Sequence, residues 1–219
     1  MRRRQFGFGL LEMMLALAIG LMVLAAASQL FVSAHQTWRL QGAALRLQDD
    51  ARLALLRMAQ DIRMAGMFGC LRLRPGDFKD PLARQAFAQP LQITSSSLDL
   101  IVAELPEQAG TSDWTVLTDC TIKAKVGDEH VPTKEYPLAF PISLHRYRLS
   151  GTTLSFKRGN NRNSRFQPLV DHVREWRVEH VQASGEERVD IALVLYEPTL
   201  RVEQRYDLSV TLRNSGYGS

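Results

Sequence analysis

The stretch that decides the reading is Arg2-Arg3-Arg4-Gln5-Phe6-Gly7-Phe8-Gly9-Leu10-Leu11-Glu12, whose end opens an apolar run from Phe8 to Val32 in which only Glu12, Ser28 and Gln29 are frankly polar. A basic start before an apolar run keeps its arginines on the cytoplasmic side of a membrane and directs the downstream chain across it. The 25 residues from Phe8 to Val32 exceed the roughly 20 that an α-helix needs to span a bilayer. Glu12 is out of keeping with both simple versions of this. A cleaved secretory signal, for which Ala25-Ala26-Ala27 supplies small residues, gains nothing from a carboxylate that costs on the order of 2.5 to 3.5 kcal/mol at the membrane centre. A plain single-pass anchor tolerates it only near the interface, in the first helical turn, where the helix dipole favours an acid.

Outward from that segment the helical pattern continues. No proline occurs before Pro75, and Leu40, Ala44, Leu47, Ala51, Ala54, Met58 and Ile62 recur at spacings of four and three. That is one apolar helical face. Arg46, Asp49, Asp50, Arg52, Arg57 and Asp61 fall mostly on the other side. A continuous helix from Phe8 to about Met64 would extend roughly 85 Å, far more than a bilayer, so its second half is expected to lie on the chain's own globular domain. A short, Ala-rich coiled coil is the alternative. Gly66 and Gly69 suit a chain reversal, and Pro75-Gly76 a loop.

From Leu91 onward the pattern predicts strands at Leu98 to Leu105, Trp114 to Ile122, Ile142 to Leu149, Thr153 to Lys157, Trp176 to Val181, Val189 to Tyr196 and Tyr206 to Leu212. Ser150-Gly151 reads as a hairpin turn. Leu169 to Trp176 reads as an irregular entry into a strand. The expected fold class is α+β: a long N-terminal helix packed on an antiparallel β-sheet globular domain.

Composition narrows the function. The net charge of +4 rests on Arg2, Arg3 and Arg4; without them 24 basic residues face 23 acidic ones, so no nucleic-acid partner is indicated. Cys70 and Cys120 carry no metal-ligand spacing, and no metal site or cofactor is expected. Outside the cytoplasm the pair fits one disulfide closing a long loop, worth on the order of 2 to 4 kcal/mol; two unpaired buried thiols are the alternative. Spacings that mark a catalytic nucleophile, a zinc site or a phosphate cradle do not occur, so no catalytic residue is assigned. His172 and His180 flank Trp176 without a third ligand. Lys157, Arg158, Arg162 and Arg165, threaded with asparagines, read as a solvated hairpin loop, and Trp38, Trp114 and Trp176 are scattered.

Leader charge, Gly7, Phe8, Glu12 and apolar run stand in the register of type IV prepilins, which this N-terminus resembles. The resemblance implies cleavage by prepilin peptidase between Gly7 and Phe8, N-methylation of Phe8, and a role for Glu12, fifth from the cut, in meeting the charged N-terminus of a neighbouring subunit. It implies a leader at 1–7, a transmembrane and filament-core helix at 8–32, an amphipathic continuation at 33–66 and a β-rich pilin domain at 67–219. Asp61-Ile62-Arg63-Met64-Ala65-Gly66-Met67-Phe68-Gly69-Cys70 resembles the helix-end segment of PilW-type minor pilins, and the closing Arg213-Asn214 is also similar. That narrower resemblance implies an initiation or tip complex with other minor pilins, the major pilin and a tip adhesin. The expected location is the inner membrane, with the domain periplasmic, and the extracellular pilus. The J-type pseudopilin of type II secretion is the nearest alternative, and a membrane-anchored periplasmic enzyme or ligand-binding domain the one from another class.

Overall fold

A computed structural model describes residues 9–105, 112–160, 164–183 and 186–214. Gly7 and Phe8 lie outside them. The chain divides into two compact units, Met1–Leu45 and Arg46–Ser219.

In the first unit the described residues from Leu10 onward belong to helix α1 (Leu10–Met64), which continues into the second. Its apolar side chains are open among the described residues: Leu10, Leu15, Leu21, Leu24 and Phe31 are all exposed. Exposed apolar surface on this scale calls for lipid or other chains around it. Leu40 is exposed too, so the expected apolar face is covered only further along.

In the second unit, Leu47, Ala51, Ala54, Leu55, Met58, Ala59 and Ile62 of α1 are buried in one hydrophobic cluster. The expected helical face from Leu47 onward is therefore a packed one. Asp61 departs from expectation: it is buried with the apolar residues, not solvated with the charged ones. Seven residues, nearly two helical turns, separate Leu47 from Ala54 and Ala54 from Asp61, so all three share one face.

After a 3-10 turn (Pro75–Asp77) and a short helix α2 (Pro81–Ala88), ten strands follow among the described residues: β1 (Leu91–Ile93), β2 (Ser97–Ala103), β3 (Trp114–Thr118), β4 (Ala124–Gly127), β5 (Leu138–Ser150), β6 (Thr153–Arg158), β7 (Gln167–Val170), β8 (Val173–Ala183), β9 (Glu186–Glu197) and β10 (Val202–Thr211). All ladders are antiparallel, as expected. They form two sheets, a seven-stranded one (β1 to β7) organised around β5 and a three-stranded one in the order β10-β9-β8. Strand β5 is long enough to pair β2 along one edge and both β3 and β6 along the other.

Both sheets contribute to the cluster around α1: Leu98, Leu100, Val102 and Tyr147 from one, Val189, Ile191, Leu193 and Val210 from the other. On the far face of the seven-stranded sheet, Ala83 and Phe87 of α2 close a second cluster with Phe68, Ile101, Val116 and Ile142. Two-sided burial accounts for β3, in which Thr115, Val116, Leu117 and Thr118 are all buried with no alternation.

Particular boundaries moved. The strand expected to reach Ile122 stops at Thr118, because the Asp119 carboxylate accepts the backbone N–H groups of Thr121, Ile122 and Lys123 and winds a tight turn instead. The hairpin after β5 turns through Gly151-Thr152, with Ser150 paired to Thr153. Leu169 to Trp176, expected as an irregular entry into a strand, is instead divided between the end of β7 and the start of β8, with only Asp171 and His172, the latter at φ +62°, between them. Strands β1, β4 and β7 and helix α2 are too short to leave a periodic signal, and tertiary packing decides them.

Candidate functional site

Two places carry the residues singled out by the sequence: the start of α1 and its end.

At the start, Glu12 lies in the first turn of α1, where the macrodipole favours an acid. Its Oε2 accepts the backbone N–H of Gly9 at 3.2 Å, the half of a capping box in which an acid reaches back to the residue that opens the helix. The contact is exposed. A carboxylate held there can exchange this local donor for a stronger cationic one.

The end of α1 brings together residues from four parts of the second unit. Asp61 Oδ2 accepts from His145 Nδ1 at 2.8 Å and from the Tyr147 hydroxyl at 2.5 Å. The other ring nitrogen of His145 reaches Glu104 Oε1 at 3.0 Å, and Arg158 grips both oxygens of Glu104. Each ring nitrogen faces a carboxylate, so both must donate, and the imidazole is held as its cation. Two carboxylates, one imidazolium and one guanidinium leave the cluster neutral.

Burial by itself would lower the His145 pKa, but the hydrogen bonds to Asp61 and Glu104 outweigh it and raise it above the ordinary value of 6.5. For Glu104 burial pushes upward, and the hydrogen bonds from His145 and Arg158 overcome it, holding the carboxyl below its ordinary 4.5. Tyr147 is pushed far up by burial and by the Asp61 charge, and stays a donor throughout the working pH range. Arg57 stacks 3.9 Å above the Phe156 ring. Strongly shifted groups often mark catalysis. Here both His145 nitrogens are committed to carboxylates, and Ser143 Oγ, two residues before it, is buried with no hydrogen-bond partner. The cluster fastens α1 to the sheet and offers no free base.

One turn later the helix stops. Gly66 has φ +73°, and a Cβ there would lie 2.9 Å from the carbonyl oxygen of Asn214. Asn214 in turn donates through Nδ2 to the carbonyls of Arg63 and Ala65 at 3.4 and 3.3 Å, serving acceptors that the helix end leaves open. At Gly69, φ +108°, a Cβ would press on the Phe140 ring at 3.0 Å. Cys70 and Cys120 then meet in a disulfide with Cα atoms 5.5 Å apart. Thr118 Oγ1 holds the Cys120 N–H, fixing the far half of the bridge. Asp61, Gly66, Gly69 and Cys70 of the helix-end segment therefore each have a separate partner.

The sequence reading missed Asp61, Glu104, His145 and Arg158 as a cluster. The seven-residue recurrence from Leu47 marks Asp61, and the alternation of His145 with Tyr147 on β5 marks the facing side; neither says which charges meet. Arg158, expected in a solvated loop, is instead tied to Glu104. His172 and His180 do not come together: each lies 3.7 Å from its own glutamate, Glu197 and Glu187.

Residues 2–28 match the prokaryotic N-terminal methylation motif. The match supports a type IV pilin-like prepilin. Such a prepilin motif implies processing by a prepilin peptidase and assembly with other pilins in a pilus or pseudopilus, and with the apolar start of α1 it fits membrane anchoring. No curated protein and no solved structure matches the chain.

Proposed function

We propose that this prepilin-type chain is a non-enzymatic minor pilin of the PilW type, acting in the initiation or tip complex of a type IV pilus. The observation that carries the reading is the methylation motif at residues 2–28 with Glu12 inside it. Prepilin peptidase cuts between Gly7 and Phe8, the new amino group of Phe8 is methylated, and the globular part, from residue 67, lies in the periplasm. Oxidation there keeps Cys70 and Cys120 joined.

Assembly moves the helix from Phe8 to Val32 out of lipid into a bundle of like helices, where apolar contact is retained and Glu12 meets the amine of a neighbour. The narrower assignment is supported by the helix-end segment, whose Asp61, Gly66, Gly69 and Cys70 each have a partner in the fold.

Sequencing of the mature N-terminus from membranes containing the peptidase tests the proposal. N-methylated Phe8 is expected; an intact Met1 or a start at Ser28 would overturn it. Co-purification with type IV minor pilins is expected, and co-purification with type II secretion pseudopilins would move the assignment to the J-type subunit.

A further inference from the structure

The seven-stranded sheet has a second face, turned away from α1. Side chains alternate along a strand, so Asp99 and Arg146 lie opposite Leu98, Leu100, His145 and Tyr147 of the same strands β2 and β5. Beside α2 they border a cleft of about 210 Å³ that is also lined by Trp114, Gln89 and Gln92. This is smaller than the roughly 300 to 1,000 Å³ of sites for drug-sized ligands.

Its polar groups are incompletely used. Arg146 reaches Asp99 Oδ2 through Nε alone, at 2.9 Å, and among the described residues its two terminal nitrogens make no hydrogen bond. The other carboxylate oxygen, Asp99 Oδ1, is buried without any partner. That oxygen is closed off from solvent, so the polar groups open to a ligand are Arg146 and the glutamine amides. Next to this pair, Trp114 is held edge-on to Phe87, ring centres 5.7 Å apart and planes at 78°, which fixes the indole at the cleft. The two glutamine amides can each donate and accept.

We propose that this cleft is a subsite for one neutral pyranose sugar. Neighbouring hydroxyls of a sugar ring match the rim: one accepts from the guanidinium of Arg146 while the next donates to a glutamine amide oxygen, Gln89 or Gln92. The C–H face of the ring is apolar and suits the indole. An anion would sit against the charge of the Asp99 carboxylate, an organic cation would meet the guanidinium, and a hydrocarbon would leave the polar rim unsatisfied. The inference stands independently of how the N-terminus is processed.

Saturation-transfer NMR on the full chain in detergent micelles tests it, with glucose, galactose and N-acetylglucosamine as probes, each at about 10 mM. Transfer to the ring protons of at least one sugar is expected. Trp114→Phe and Gln92→Ala, each checked for an unchanged amide fingerprint, should weaken that sugar's binding about tenfold. Gln92→Ala changes an exposed side chain, so it keeps the test available if Trp114→Phe fails to fold. No transfer from any of the three sugars overturns the proposal, as does undiminished transfer in the folded variants. Stronger binding of inorganic phosphate or glycine betaine in the same cleft would equally overturn it.

Discussion

Asp61 on α1 and His145 on β5 are 84 positions apart in sequence and 2.8 Å apart in the fold. The bond ties the helix to the centre of the larger sheet, and Tyr147 shares the same oxygen. Asp61→Ala strands both donors in the interior, and a loss of about 3 to 5 kcal/mol is expected, because removing one member of a buried ionic cluster leaves the others uncompensated. Chemical denaturation of the purified chain checks this. A loss below about 1 kcal/mol would mean that water replaces the carboxylate.

The same cluster sets a pH window. His145 has its folded pKa raised, so its contribution is fully present below its ordinary 6.5 and is lost as pH rises through the folded value. Glu104 has its folded pKa lowered, so its contribution is present above its ordinary 4.5 and is lost as pH falls through the folded value. Stability from these two groups should therefore peak between 4.5 and 6.5 and decline on the alkaline side. His145→Gln should flatten that alkaline decline, which melting curves across pH would reveal.

Gly66 and Asn214 close the helix end together. Gly66→Ala combines a left-handed backbone with a Cβ placed 2.9 Å from the Asn214 carbonyl oxygen, and about 1 to 3 kcal/mol should be lost. Asn214→Ala removes only two long hydrogen bonds at the rim and should cost about 1 kcal/mol or less. Equal melting temperatures for Gly66→Ala and the parent chain would contradict this reading of the turn.

The bridge between Cys70 and Cys120 closes a loop of 50 residues, for which the chain-entropy account gives about 4 kcal/mol. The Cys70→Ser, Cys120→Ser double variant should unfold at correspondingly lower denaturant. Thiol titration of the parent chain purified from the periplasm should find no free thiol.

Glu12→Ala should leave membrane insertion and processing largely intact while weakening assembly. Its present partner, the Gly9 N–H, is exposed and local, so nothing in the fold depends on it. Unchanged incorporation of the variant into filaments would remove the proposed pairing with a neighbour's amine.

Features that depend on local order are legible in the chain as written. The methylation motif is a linear signal, the helix shows in its periodicity, and long alternating strands such as β10 show in their pattern. Even the helix-end segment was legible as a string. Its meaning was not, since the partners of Asp61, Gly66, Gly69 and Cys70 lie between 50 and 148 positions downstream. The division into two sheets, the short elements and the burial of Asp61 among apolar residues emerge only when the chain is folded. Periodicity says which face a residue occupies, whereas the charge that meets it there depends on strand register and on how far the intervening chain can fold back.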